Sequence, residues 1–264
     1  MSETMSILSL KKLFRFPFQA PNWQSRFVVG TALILANYVI PIVPAIFLAG
    51  YALRVMRQTL AGQEPELPAW DDWGELAKDG LRAMLAGLVY FLPALIVFAV
   101  GVAVYFIGNL YLPLTASSSG DPDQMLAGLP AIVLGSMAIL FVSMLVGIVL
   151  SLLGAIAMPA ATAHFVAQDE LRAAFRVRQW WRILRTDMLG YFISWVIIAG
   201  LFAVLYSGAM LAYYTIVLCC LIPILTAPIT LYVLLVGAAL FGETYRESAA
   251  ELLNREQEKA VTTA

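Results

Sequence analysis

Four stretches of this 264-residue chain contain no Asp, Glu, Lys or Arg. They lie between Arg26 and Arg54, Arg82 and Asp121, Asp123 and Asp169, and Asp187 and Glu243, and hold 27, 38, 45 and 55 residues. A helix needs about 20 apolar residues to cross the hydrocarbon core of a bilayer, so each stretch can supply a crossing and the last can supply two. The chain is 61% hydrophobic and 12% charged, whereas a soluble domain carries about 25% charged residues. A water-soluble core of this size could not cover that much apolar surface. The sequence therefore predicts an all-α fold: a polytopic transmembrane helical bundle of about five to six membrane-embedded helices with amphipathic interfacial helices.

Residues 1–26 read as an interfacial N-terminal arm. Leu10, Leu13, Phe14, Phe16, Phe18 and Trp23 mix there with Lys11, Lys12 and Arg15, a composition suited to the headgroup layer. The apolar stretch that follows ends at Gly50-Tyr51-Ala52-Leu53-Arg54, with no small-residue cleavage site, so the segment is expected to be retained. A helical membrane domain at 27–242 is expected to hold embedded segments at about 27–53, 83–108, 130–166, 188–205 and 215–241, the last two joined near Tyr206, Ser207 and Gly208. Elbows at 67–80 and 170–185 lie at the interface, and 243–264 reads as a cytoplasmic tail with a short solvated helix.

Within these segments, Pro41 and Pro44 interrupt the first stretch, and the third is tilted or broken near Pro159. Ser143, Gly147, Ser151 and Ala155 recur every fourth residue, which makes a small-residue groove for another helix. Asn109 to Asp123 carries Pro113, Ser117, Ser118, Ser119, Gly120 and Pro122 and reads as a loop. Cys219 and Cys220 are adjacent in an apolar run and read as packing residues.

Short loops rich in Lys and Arg mark the cytoplasmic side. Basic residues cluster before Phe27, between Arg54 and Arg82, at 170–185 and after Glu243, while 109–129 and 206–214 have none. If the first stretch enters and returns as a hairpin turning at Pro41-Ile42-Val43-Pro44, every basic cluster shares one face and both termini are cytoplasmic. A single kinked span would put the basic arm on the opposite side.

Few residues offer chemistry. In the elbow, Asp71 is expected to cap a short helix whose Trp73, Leu76 and Ala77 lie on the membrane, and Asp79 to sit where the next helix begins. A metal site of Asp71, Asp72, Glu75 and Asp79 lacks a His or Cys partner. The lone histidine, His164, suits a hydrogen-bonded interface role, because no intramembrane Asp or Glu is available to complete a relay. In 170–185, Arg172, Arg176, Arg178, Arg182 and Arg185 alternate with apolar residues and point to anionic lipid headgroups; no nucleic-acid partner is expected.

The cluster of Pro44, Gly50-Tyr51 and Arg54, with Leu67-Pro68-Ala69-Trp70-Asp71-Asp72-Trp73, Asp79-Gly80-Leu81 and Tyr90-Phe91-Leu92-Pro93, resembles the prokaryotic membrane family called domain of unknown function 4013. Met158-Pro159-Ala160-Ala161, His164-Phe165 and Ala173-Ala174-Phe175-Arg176 extend the resemblance over about 27–240. It implies a multi-pass helical protein of a prokaryotic plasma membrane and supplies no catalytic residue and no cofactor. The expected role is a non-enzymatic scaffold or accessory subunit, with a membrane-protein partner or a second copy of itself. The alternative is a transporter or lipid-handling protein built on helices broken at Pro41, Pro44, Pro159, Pro223 and Pro228.

Overall fold

Uncharged stretches with few turn-forming residues fold here as helix, in a computed structural model that describes residues 7–111, 114, 122–213 and 221–262. The elements are α1 (Ile7–Arg15), a 3-10 turn at Phe16–Phe18, α2 (Trp23–Asn37), α3 (Val43–Leu60), α4 (Trp73–Phe106) running into a π-turn at Ile107–Tyr111, and α5 (Pro122–Gln168). A 3-10 turn at Leu171–Phe175 then leads to α6 (Val177–Thr186), α7 (Met188–Tyr213) and α8 (Ile222–Thr262). There is no strand among the described residues.

Four helical segments among the described residues are long and apolar enough to cross a membrane: Trp73–Leu110, Pro130–Gln168, Met188–Leu211 and Ile222–Thr262. That is fewer than the five to six expected. The difference lies in the first stretch, which breaks at 38–42 into α2 and α3 of 15 and 18 residues. At 1.5 Å per residue these reach only about 22 and 27 Å, short of a hydrocarbon core of about 30 Å. Pro41 and Pro44 withhold two backbone donors, and the chain reverses through a γ-turn in which the Val43 amide donates to the Pro41 carbonyl at 3.0 Å around Ile42, φ 78°. The turn residues Tyr38, Val39, Ile40, Ile42 and Val43 are all exposed.

Other boundaries also move. The segment expected at 188–205 continues to Tyr213 through Tyr206, Ser207 and Gly208, because a lone glycine does not end an apolar helix. The segment expected at 215–241 begins, among the described residues, near Ile222 and runs past Glu243 to Thr262, so the tail is an extension of α8 and not a separate helix. No Gly or Pro follows Gly242 to stop it, and Arg255 pairs with Glu251 one turn away at 2.5 Å. The segment expected at 83–108 starts ten residues early at Trp73, so the second half of the 67–80 elbow is already α4. Pro159 and Pro228 lie within continuous helices, and Pro223 falls in the first turn of α8. Pro113, residues 115–121, Cys219 and Cys220 lie outside the described residues.

The chain forms two compact units, Met1–Ala86 with Pro159–Ala264, and Gly87–Met158. In the first, α8 is the hub and packs against α1, α2, α3, α6 and α7. Its Leu231, Val233, Leu235, Val236, Ala239 and Leu240 are buried, as are Val55 of α3, Leu76 of α4 and Phe165 of α5.

In the second unit the C-terminal part of α4 lies along α5 through small residues. A Cβ on Gly147 would meet the Phe98 ring at 2.7 Å, and one on Gly101 would overlap Ser143. Ser143 and Gly147 of the expected groove thus receive a helix, as small-residue packing in lipid requires. Asn109 closes the far end, its amide donating to Ser136 Oγ at 2.6 Å and to the Tyr105 carbonyl at 2.9 Å.

Candidate functional site

The residues singled out by the sequence meet in the first unit, where α3 crosses the start of α4. Gly50 and Gly80 make the crossing possible: a Cβ on Gly50 would stand 2.8 Å from the Leu76 carbonyl carbon, and one on Gly80 2.7 Å from that of Ile46, each closer still to the oxygen. Only hydrogen at both positions lets the two backbones approach this closely.

Beside Gly50, an aromatic column ties the connecting segment to the helices. Tyr51, 1% exposed, stacks on Trp70 with ring centres 3.9 Å apart and planes 4° from parallel. Trp70 stacks on Trp73 at 5.6 Å, and Trp73 meets Phe47 edge-on at 5.2 Å. The polar ends of these rings are used as well, with the Tyr51 hydroxyl donating to the Pro68 carbonyl at 2.8 Å and the Trp70 indole N–H to the Arg26 carbonyl at 2.7 Å. The Arg26 guanidinium in turn donates to the carbonyl of Leu67, itself 1% exposed. Burial pushes the Tyr51 phenol well above its ordinary range.

Ion pairs hold the outer edge. Arg54 donates to Asp71 Oδ1 at 2.9 Å, to the Asp71 carbonyl at 3.2 Å, and to the Asp72 carbonyl and Glu75 Oε2 at 3.4 Å. Asp79 is only 3% exposed and accepts from Arg57, with Arg82 at 4.0 Å and a second Arg57 nitrogen 3.6 Å from Asp169. The hydrogen bond to Asp79 raises Arg57 further above its ordinary value.

Three expectations for this elbow change. Asp72, not Asp71, occupies the N-cap of α4, with a positive φ of 49° and its Oδ1 3.4 Å from the Glu75 amide, because Asp71 is held by Arg54. Leu76 is fully buried in protein, where it was expected to rest on the membrane. Asp79 stands two turns inside α4, neutralised by arginines and not by the helix dipole. Of the four elbow carboxylates, Asp71 and Glu75 face Arg54 while Asp79 faces Arg57, so guanidinium groups stand where a cation would have to. No group of three or more His, Cys, Asp or Glu among the described residues could hold a metal ion. Asp187 caps α7, accepting from the Gly190 amide at 2.9 Å.

Sequence reasoning found the cluster but missed Arg26, Arg57, Arg82 and Phe47, which complete it. For the three arginines the only signal was their charge near the ends of uncharged stretches; Phe47, inside the first stretch, gave none.

The 170–185 segment, expected as one amphipathic helix, is split at Arg176 into the 3-10 turn and α6. The Trp180 indole donates back to the Ala174 carbonyl at 3.1 Å. Ala173, Ala174, Trp180 and Leu184 are buried in the unit, so this part of the apolar face rests on protein, while Phe175, Val177 and Trp181 stay exposed. The five arginines remain on the outside. Arg176 binds Gln168 and Glu170, Arg182 binds Glu256 at 2.6 Å, and Arg185 lies 5.5 Å over the Trp181 ring, whereas Arg172 and Arg178 have no ion pair among the described residues.

His164, 3% exposed, is enclosed by polar neighbours, with Nδ1 2.6 Å from the Tyr245 hydroxyl and Nε2 3.1 Å from both Gln179 and Gln168. Arg176 donates to Gln168 Oε1, which turns the Gln168 amide nitrogen toward the ring. In one tautomer Nε2 accepts from the Gln168 amide and Nδ1–H donates to Tyr245; in the other Nε2–H donates to Gln179 Oε1 and Nδ1 accepts from the Tyr245 hydroxyl. This is a satisfied interface histidine.

Searches of the curated proteins and of the solved structures returned no match. A family model does match, over residues 33–214, a range that contains the α3–α4 crossing, the aromatic column and the arginine-rich segment. The chain belongs to the family described as "Protein of unknown function (DUF4013)".

Proposed function

We propose that this is an integral protein of a prokaryotic plasma membrane, with both termini cytoplasmic, that acts as a non-enzymatic scaffold or accessory subunit for a membrane-protein partner or a second copy of itself. One observation carries the reading: the most individual stretch of the chain uses its polar groups on itself. Tyr51, Trp70, Arg26, Arg54, Arg57, Asp71 and Asp79 are all engaged with one another or with backbone carbonyls. Such a cluster is a brace that fixes the α2–α3 hairpin to α4. The large exposed residues of the long helices, Leu92, Ile96, Phe141, Val149 and Phe192 among them, suit lipid or a partner helix, and Arg172 and Arg178 suit anionic headgroups.

Extraction in mild detergent after in-membrane crosslinking tests the role. A second polypeptide, or a second copy, at fixed stoichiometry is the expected result; recovery of this chain alone as a monomer would end the scaffold reading. Cysteines placed at each terminus should label from the same side, and a folded, monodisperse species in buffer free of amphiphile would remove the membrane assignment. Transport across broken helices draws support, among the described residues, from the break at 38–42, and saturable flux into reconstituted vesicles would favour it over the scaffold.

A further inference from the structure

A cavity of about 450 Å³ opens in the first unit between α1, the segment after α3 and the far half of α8; its volume lies in the range of about 300–1,000 Å³ typical of ligand sites. Its walls are held from three sides. The Tyr232 hydroxyl on α8 donates to the Phe14 carbonyl at 3.0 Å and ties down the end of α1. Gln58 accepts the Glu66 amide at 2.9 Å and its carbonyl accepts the Gln63 amide at 2.9 Å, which folds the connecting segment back over α3. Gly62, at φ 74°, makes that turn beside Arg246, where a Cβ would stand 3.4 Å from the guanidinium. Arg246 itself donates to the Thr59 carbonyl at 3.1 Å.

The lining carries two cations, Lys12 and Arg246, and three carboxylates, Glu64, Glu66 and Glu243, over an apolar floor that includes the buried Phe16. Lys12 and Glu64 pair at 2.7 Å across the mouth, both largely in solvent, and their hydrogen bond raises the lysine and lowers the carboxyl. Glu243 is different. Its side chain is 15% exposed, its nearest cation is Arg246 at 3.7 Å, beyond hydrogen-bond range, and it accepts no hydrogen bond among the described residues. A largely desolvated carboxylate with so little compensation is costly unless another donor reaches it. Glu66 has no ion pair among the described residues, so the cavity keeps one excess negative charge. Glu243 is also the first charged residue after the 55-residue uncharged stretch, which places the cavity where α8 passes from apolar to polar surroundings.

We propose that this cavity binds a primary ammonium group, which donates to Glu243 and Glu66, on a molecule of headgroup size. The group comes either from an ethanolamine-type lipid headgroup or from a soluble amine, and the placement at the end of the uncharged stretch favours the lipid. Three N–H donors suit the largely buried Glu243, whose one ion pair lies at 3.7 Å, together with the exposed Glu66, which exchanges only water; a trimethylated ammonium has no N–H. The proposal does not rest on the scaffold reading.

The test uses the full chain in detergent, with short-chain phosphatidylethanolamine, short-chain phosphatidylcholine and free phosphoethanolamine as probes, read by native mass spectrometry and by shift of the melting temperature. Phosphatidylethanolamine should bind about tenfold or more tightly than phosphatidylcholine, and Glu243→Gln should remove most of that preference, as expected for loss of a charge-assisted hydrogen bond. Glu66→Gln, at an exposed position that does not threaten folding, should reduce it in the same direction. Phosphoethanolamine binding as tightly as the lipid supports the site and assigns it to soluble amines. Equal binding of the two lipids, or a preference untouched by both variants, overturns the proposal. If Glu243→Gln fails to fold, Glu66→Gln alone decides.

Discussion

Replacing Gly80 by alanine isolates the α3–α4 crossing from everything else in the molecule. The new Cβ would lie 2.7 Å from the Ile46 carbonyl carbon and 3.0 Å from the Gly50 amide nitrogen, whereas relaxed contacts between such atoms lie near 3.5–4.0 Å. These obstacles are backbone, so no rotamer change relieves them, and because the Ile46 carbonyl oxygen lies closer still the helices must part by more than about 1 Å. Tyr51, Leu76 and Ala83, all buried beside the crossing, lose contact when they do. Overpacking of this kind costs about 1–3 kcal/mol, and the absence of a flexible neighbour puts Gly80 at the upper end. Alanine returns about 0.5–1 kcal/mol in backbone entropy, which leaves a net loss of about 2 kcal/mol, a factor of about 30 in the unfolding equilibrium. Gly200→Ala is the matched control: nothing lies within 4 Å of its Cβ, so only the gain of about 0.5–1 kcal/mol remains and the sign reverses. The assay is unfolding in detergent followed by circular dichroism and by tryptophan fluorescence, since Trp70 and Trp73 sit beside the crossing. Gly50→Ala combined with Gly80→Ala should cost less than the sum of the two, because helices already parted by one methyl accommodate the other. Equal stability of Gly80→Ala and Gly200→Ala would refute the account of the crossing.

Arg57→Ala leaves the Asp79 carboxylate buried with only Arg82 at 4.0 Å, and should destabilise by about 3–5 kcal/mol in chemical unfolding; adding Asp79→Asn should recover part of that, and a double variant no better than the single would contradict it. Because Arg57 is shifted upward, its contribution is full below its unfolded value and declines only at pH above the arginine range, so it should be constant across working pH. Tyr51→Phe removes one hydrogen bond, to Pro68, and should cost about 1 kcal/mol. The folded phenol ionises above its ordinary 10.0, so the wild-type protein keeps this stability below that pH and loses it as pH rises; a melting profile from about pH 9.5 to 11.5 should fall less steeply for Tyr51→Phe than for wild type. Trp180→Ala should free α6 from the protein and speed trypsin cleavage at Arg178 and Arg182, while Arg172→Gln with Arg178→Gln, which removes the Arg178 site, should leave the rate at Arg182 unchanged and weaken binding to anionic vesicles. Identical proteolysis for Trp180→Ala and wild type would mean that the face is not docked.

The long helices were readable because hydrocarbon excludes charge: the uncharged stretches bracket α4, α5, α7 and α8. Their ends were less readable. Glu243 marks a change of solvent, not a change of backbone, and α8 crosses it without interruption. Gly208 looked like a turn because glycine punctuates soluble helices, but an apolar helix accommodates it. The elbow was visible as an unusual run of Trp, Asp and Pro, yet its partners lie far along the chain. Arg26 reaches Leu67, and Arg57 reaches both Asp79 and Asp169, across separations that no local pattern encodes. In 170–185 Ala174, Trp180 and Leu184 lie against protein while Phe175 and Trp181 stay exposed, a division that periodicity alone does not give.

The hub position of α8 has a consequence for biosynthesis. More than 150 residues separate the end of α3 from the start of α8, so at about 5–20 residues per second the ribosome needs on the order of ten to thirty seconds to deliver it after the hairpin has emerged. Throughout translation of that interval, α1, α2 and α3 are in place without the helix they pack on, and the first unit closes only when the last helix arrives.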